Sequence, residues 1–326
     1  MTGRDRRRLG AIAAAHRRIG AVALAVFALG GAIPVGPAAA TPAAGDQLAG
    51  GGATGRGLFL TYSDRDFVIE GGTVAAPDVA APAAQAAIDL TGLGSALAAM
   101  GYSPYSDAAG VLNAFGGTEL PVGKLGEQSR AKVAGRPPQE SAIGVSESIG
   151  QAKARLSEGP TAEGWTSAAQ SPAPGLAADL GQLSATVATV ERTADSTVTV
   201  VLRSIRIGES LRIDSVTLTA RAVADGAAGV ADATVVIEGV TLGGTPVRLT
   251  PEGFEPAGAG APDLSALRTA GIEVVGAGET EARPGGRQAD ARATGPRLRL
   301  SSSDGRVLTV VLGQAVVSSA WVPGRG

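Results

Sequence analysis

Cysteine is absent from the 326 residues, and histidine occurs once, at His16. Without thiols the chain forms no disulfide, carries no lipid on an N-terminal cysteine and offers no thiolate nucleophile. Once His16 leaves with an N-terminal leader, for which the case follows, imidazole is gone as well. That excludes Ser-His-Asp and Cys-His catalysis, zinc sites built from His and Cys, and haem ligation by histidine. Asparagine occurs once, at Asn113, so the calcium loop of alternating Asp and Asn is missing. The glycine pairs Gly71-Gly72 and Gly243-Gly244 lack the Gly-Lys-Ser/Thr ending of a phosphate loop and read as turns. Lysine is confined to Lys124, Lys132 and Lys153. No cofactor and no metal site is expected.

What is present begins with a basic start: Arg4, Arg6, Arg7, Arg8, Arg17 and Arg18, opposed by Asp5 alone. Residues 19–35 carry no charge, with Val22, Leu24, Val26, Phe27 and Leu29 as an apolar middle. Gly36-Pro37 then breaks a helix, and Ala38-Ala39-Ala40 supplies the small residues a signal peptidase accepts. Residues 1–40 are therefore read as an export signal, cleaved after about Ala40. An uncleaved anchor is the alternative, but a span asks for roughly 20 apolar residues, and Gly30, Gly31 and Pro34 interrupt this run. Arg17-Arg18 leaves twin-arginine export open beside general secretion. The expected location is secreted or extracytoplasmic.

Losing six arginines and one aspartate from totals of 28 basic and 30 acidic side chains leaves 22 against 29, a net charge of −7. A chain of that sign is no partner for nucleic acid, which calls for clustered Lys and Arg. No stable membrane span is expected in the mature chain. With no disulfide, stability must come from a core, and the remaining length suffices for one.

Residues 41–56, rich in Gly and Ala, read as a disordered leader. Residues 57–326 are expected to form a single large β-rich domain. A helix is expected at about 82–100, where Leu90, Leu93, Leu97 and Met100 recur at helical spacing. A short second helix is expected at about 262–269, capped by Asp263. Strand-like alternation marks 142–148, 152–158, 164–170, 184–193, 197–207, 211–223, 231–240 and 247–250. The polar stretch near 276–296 reads as a mobile loop. In 306–322, Leu308, Val310 and Leu312 share a face, expected to continue through Val316, Ser318 and Ala320. Few helical segments among many strands indicate a mainly β (α+β) fold: an antiparallel curved sheet or two packed sheets, one face covered by the main helix.

Three chemistries remain. Asp64, Asp66 and Glu70 are the densest carboxylates near an aromatic, Tyr62, and a glycosidase needs such a pair; turn residues around Arg65 are the plainer reading. Ser129-Arg130-Ala131-Lys132 has the order of a Ser-Lys dyad without its Ser-Asp-Asn or Lys-Thr-Gly companions. Finally, a curved sheet closed by a helix can enclose an apolar ligand, with Leu90, Leu93, Leu97 and Met100 as its lining; a filled core is the competing reading.

Several stretches carry a resemblance. They are 62–67, 83–100 with Tyr102-Ser103-Pro104-Tyr105, Ile205-Arg206-Ile207-Gly208 through Ser215-Val216, 239–247, and Val311-Leu312-Gly313-Gln314-Ala315. Together they resemble uncharacterised exported actinobacterial proteins, including the choice-of-anchor P group. The resemblance implies a secreted β-rich protein and brings no catalytic residues with it. The expected function is a non-enzymatic envelope or extracellular protein with a structural or interaction role. The alternatives are a carrier or sensor of an apolar ligand and a carboxylate or Ser-Lys hydrolase.

Overall fold

In the computed structural model, the described residues are 48–63, 68–69, 72–73, 79–100, 130–146, 150–157, 159–166, 176–190, 193–258, 271–301 and 307–323. Strands β1 (Leu48–Ser63), β2 (Val68–Ile69), β3 (Gly72–Thr73), β4 (Val79–Ile88), β5 (Gly94–Ala99) and β6 (Arg130–Gly135) come first. They are followed by β7 (Gln139–Ser146), β8 (Gly150–Leu156), β9 (Pro160–Thr166), β10 (Leu176–Ala177) and β11 (Leu180–Val190). Next are β12 (Thr193–Ile207), β13 (Leu211–Ala224), β14 (Val230–Leu242), β15 (Thr245–Thr250) and β16 (Gly253–Pro256). The last are β17 (Ile272–Gly276), β18 (Glu279–Arg283), β19 (Gln288–Thr294), β20 (Arg297–Ser301) and β21 (Val307–Val322). Two units result. In the smaller, Met1–Ala39 with Arg65–Val74, the described part is the hairpin β2–β3.

The larger unit holds two antiparallel sheets. The first runs β17-β20-β21-β1-β4-β5-β6, with the β18–β19 hairpin also paired to β21. The second runs β16-β15-β14-β13-β12-β11-β9-β8-β7, with β10 on β12. Their inner faces share one core, and the residues on them differ in size. The first sheet turns Ala53, Ala84, Ala86, Ala96, Ala98, Ala291, Ala293 and Ala315 inward, whereas the second brings Leu183, Val198, Val200, Leu202, Val216 and Leu218. Small side chains on one layer admit large ones from the other, and this fills the space between them.

Both sheets reverse their inward phase along a transverse row. In the first, Gly57 stands opposite Pro82 and Gly313 at a break in the ladders, with the register kept on either side: Arg56 pairs with Ala83 and Gln314, and Leu58 with Ala81 and Leu312. Gly295 extends that row: its N–H donates to Gly313 O at 2.9 Å, and a Cβ there would lie 1.9 Å from Leu312 O. In the second sheet the break falls at Ser204, Asp214 and Gly239, the first and last with φ of 52° and 62°. Alternation has period two, so a residue that departs from it in each strand of the row turns the later side chains to the other face while the pairing register holds. The inward face of β21 consequently passes from Leu308, Val310 and Leu312 to Ala315, Val317 and Ser319, while Val316 and Ser318 are exposed. The expectation that Val316, Ser318 and Ala320 continue that face is corrected by this flip.

Three further expectations change. No helix occurs among the described residues. The stretch 82–100 is the β4–β5 hairpin, closed by a turn in which Asp89 Oδ1 accepts from Thr91 N–H (2.8 Å) and Leu93 N–H (2.9 Å), with Gly92 at φ 79°. That is hairpin chemistry, with an αL glycine completing the turn. Alanine on both faces of these strands erased the period-two signal, so the leucine spacing stood out in its place. The stretch 48–56, expected as leader, is half of β1 and pairs on both sides with β21 and β4. The stretch 276–296, expected as a mobile loop, contains the β18–β19 hairpin, with Ala289, Ala291 and Ala293 buried. The second helix, at 262–269, and the export signal lie outside the described residues. No helix among the described residues is long and apolar enough to cross a membrane.

Candidate functional site

The four side chains expected to line an apolar cavity are not brought together. Leu90 and Leu93 sit in the β4–β5 turn, and Leu90 is 37% exposed. Met100 joins Ala96 and Ala98 in the shared core. Leu97 is buried too, but its register opposite Gln85 and Lys132 puts it on the other face of the sheet. A strand sends alternate residues to opposite faces, so a helical stripe has no counterpart here. Asp64, Asp66, Glu70 and Ser129 lie outside the described residues, and Lys132 is exposed on β6.

Several charged groups of the described residues pair on the surface. Arg221 Nη2 meets Asp195 Oδ2 at 2.6 Å and its Nε meets Oδ1 at 3.2 Å, a two-point contact that raises the guanidinium's affinity for its proton. Lys153 Nζ lies 2.9 Å from Glu140 Oε1, and this hydrogen bond holds the Glu140 carboxyl below its ordinary range. Asp225 is likewise lowered, chiefly by the Ala227 N–H that donates to Oδ1 at 2.8 Å. Among the described residues, no three of His, Cys, Asp or Glu converge as metal ligands would.

Two concave regions remain. One, about 630 Å³, lies against β14 and β15 and the β17–β18 turn, lined by Val235, Ile237, Val240, Val247, Leu249 and Gly278 with Arg248 among them. Its exposed surface is mostly polar despite these aliphatic side chains, and none of the four expected lining residues borders it.

The other, about 310 Å³, lies on the outer face of the second sheet and is lined by Gln151, Lys153, Glu163, Gln182, Leu183, Ser184, Thr199 and Val201. The register builds it from two adjacent transverse rows. One row is Lys153, Glu163, Ser184, Thr199, Thr219 and Thr234. Its neighbour is Gln151, Trp165, Gln182, Val201, Thr217 and Val236. Thr219 and Thr234 hydroxyls bond each other at 2.6 Å. Among the described residues the side chains of Gln151, Glu163, Gln182, Ser184 and Thr199 make no hydrogen bond within the protein. The outcome is a broad hydroxyl- and amide-bearing face on a rigid sheet. A search for catalytic groups or apolar stripes passes over it, although its mark is in the sequence: threonines at every second place in 197–199 and 217–219, between buried valines and leucines. No protein-family model matches the chain, and no curated protein sequence matches it either.

Proposed function

We propose that the protein is exported and acts outside the cytoplasm as a non-enzymatic envelope or extracellular protein with a structural or interaction role. The observation that carries this reading is the polar outer face of the second sheet, with free hydrogen-bonding side chains over a filled interior. A core packed by alanine against valine and leucine makes a stiff platform, and such a platform presents a surface without requiring chemistry at it. The arginine-rich and then apolar composition of 1–40 supports export, as does the resemblance to exported actinobacterial β-rich proteins. Fractionation of the native host with N-terminal sequencing tests it. The expected result is an extracytoplasmic protein starting near Thr41; a cytosolic protein starting at Met1 overturns the proposal.

A second reading is favoured by the 630 Å³ depression at Val235, Ile237, Val240, Val247 and Leu249. Its size falls in the range of small-molecule sites, and these five aliphatic side chains are what an apolar or lipid-like ligand would meet within an otherwise polar rim. Native mass spectrometry of protein purified from its own host decides it: a retained lipid mass supports a carrier, and a clean apo mass removes that reading.

A further inference from the structure

We infer that the groove across β8, β9, β11 and β12 binds a neutral glycan; this deepens the reading of the same face as an interaction surface and rests on it. Three observations converge. Lys153 is held by Glu140 at 2.9 Å, so the charge left over in the groove is the single Glu163 carboxylate, which repels an anion and, with no second carboxylate among the lining residues, gives a cation little hold. Its walls carry amide, carboxylate and hydroxyl groups whose capacity is unspent inside the protein: Gln151, Glu163, Gln182, Ser184 and Thr199. An amide offers both a donor and an acceptor and a hydroxyl does the same, which matches the vicinal hydroxyls of a pyranose, themselves donor and acceptor at once. An apolar ligand would leave these groups unpaired, at a cost. The volume, about 310 Å³, is at the small end for ligand sites, and the lining crosses four neighbouring strands. The register also places Trp165 between Gln151 and Gln182 in the same row.

The test is isothermal titration of the purified protein with cellohexaose, mannohexaose and maltohexaose, and with hexagalacturonate as the anionic counterpart. At least one neutral hexasaccharide should bind, in the micromolar to millimolar range, with the anion weaker. Gln182→Ala should weaken that binding about ten-fold, the loss of one well-made polar contact to a ligand. Ser184→Tyr fills the groove with a side chain that strands favour and should remove binding while circular dichroism and the urea midpoint stay unchanged. Thr234→Ala, on the same face but outside the groove, should leave it intact. Binding of none of the neutral sugars, a preference for the anion, or wild-type affinity in both groove variants overturns the inference. An extracytoplasmic protein that binds no sugar would sink the glycan alone, since export is judged separately by its N-terminus and location.

Discussion

Gly51→Ala is the substitution that most directly tests the claim that residues 48–56 are structural. A Cβ at Gly51 would lie 2.3 Å from Ser196 Oγ, 2.9 Å from Ser318 O and 3.3 Å from Val187 Cγ1. Carbon and oxygen need more than 3 Å, so the Ser196 hydroxyl must move, and the Ser318 carbonyl, being backbone, cannot follow easily. Moving it breaks the Ser196 Oγ–H to Ser318 O bond of 2.8 Å, a loss of about 1 kcal/mol. Overpacking adds about 1–3 kcal/mol. Against this, alanine restricts the unfolded chain and returns about 0.4–1 kcal/mol. The balance is a destabilisation of about 1–3.5 kcal/mol, or roughly 2–14 °C in Tm for a chain of this size. Urea denaturation and calorimetry of the purified protein measure it. The double variant with Ser196→Ala should be less destabilised than the sum of the singles, because the crowded hydroxyl is gone. Were 48–56 a flexible leader, Gly51→Ala would be neutral; a Tm within a degree of the parent refutes the reasoning.

Other expectations follow from the same coordinates. Ser319 is 1% exposed, and its Oγ lies 2.8 Å from Ala222 O and 3.0 Å from Ser196 Oγ, so Ser319→Ala should cost about 1 kcal/mol in urea unfolding, and a stabilised variant would contradict the network. Leu202→Ala, at 0% exposed between the sheets, should cost about 2–5 kcal/mol, whereas Val190→Ala, 65% exposed, should change stability by under about 0.5 kcal/mol. Asp225 has a folded carboxyl below its ordinary value of 3.8, so its contribution is present above that value and is lost as pH falls through the folded one; Asp225→Asn should flatten the decline of the urea midpoint below pH 4, and an unchanged slope would discount the Ala227 and Gly229 N–H bonds. The exposed Arg221–Asp195 pair should contribute no more than about 1 kcal/mol in a double-mutant cycle, and less in high salt.

The strands from β11 to β14 are legible because their two faces differ in kind. In β12, Val198, Val200 and Leu202 alternate with Thr197, Thr199 and Val201, and the burial follows that alternation until Ser204 reverses it. The first sheet is harder to read for a physical reason. Much of its inner face is alanine and glycine, residues whose hydrophobicity is small and whose presence suits helix, loop or strand alike. Thus 82–100 resembled a helix, 48–56 a leader and 276–296 a loop, although Ala289, Ala291 and Ala293 keep strict period two. What makes them strand is the opposing layer of valine and leucine, a long-range fact absent from local composition. The groove was missed for a related reason. Gln151, Glu163, Gln182 and Thr199 are brought together by pairing across four strands, and nothing in their spacing along the chain announces it.

That asymmetry of side-chain size also decides where a function can reside. Sheets whose inner faces were both leucine and valine would stand about 10 Å apart and could part further around a ligand. Here Gly51, Gly55 and Gly313 approach so closely that an added Cβ would fall 2.2–2.4 Å from Ser196, Leu183 and Leu218 respectively. An interior held that tightly has no room to open without losing contacts along several strands at once, and each lost contact is felt because cores are close-packed. Recognition must then occur on outer faces and at the sandwich margins. Of these, the second sheet's outer face is backed by the most completely buried part of the molecule, from Val198 to Leu202 on β12 and Val216 to Ala222 on β13. Rigid backing fixes the spacing of the side chains above it, and fixed spacing is what lets weak individual hydrogen bonds add to a selective contact.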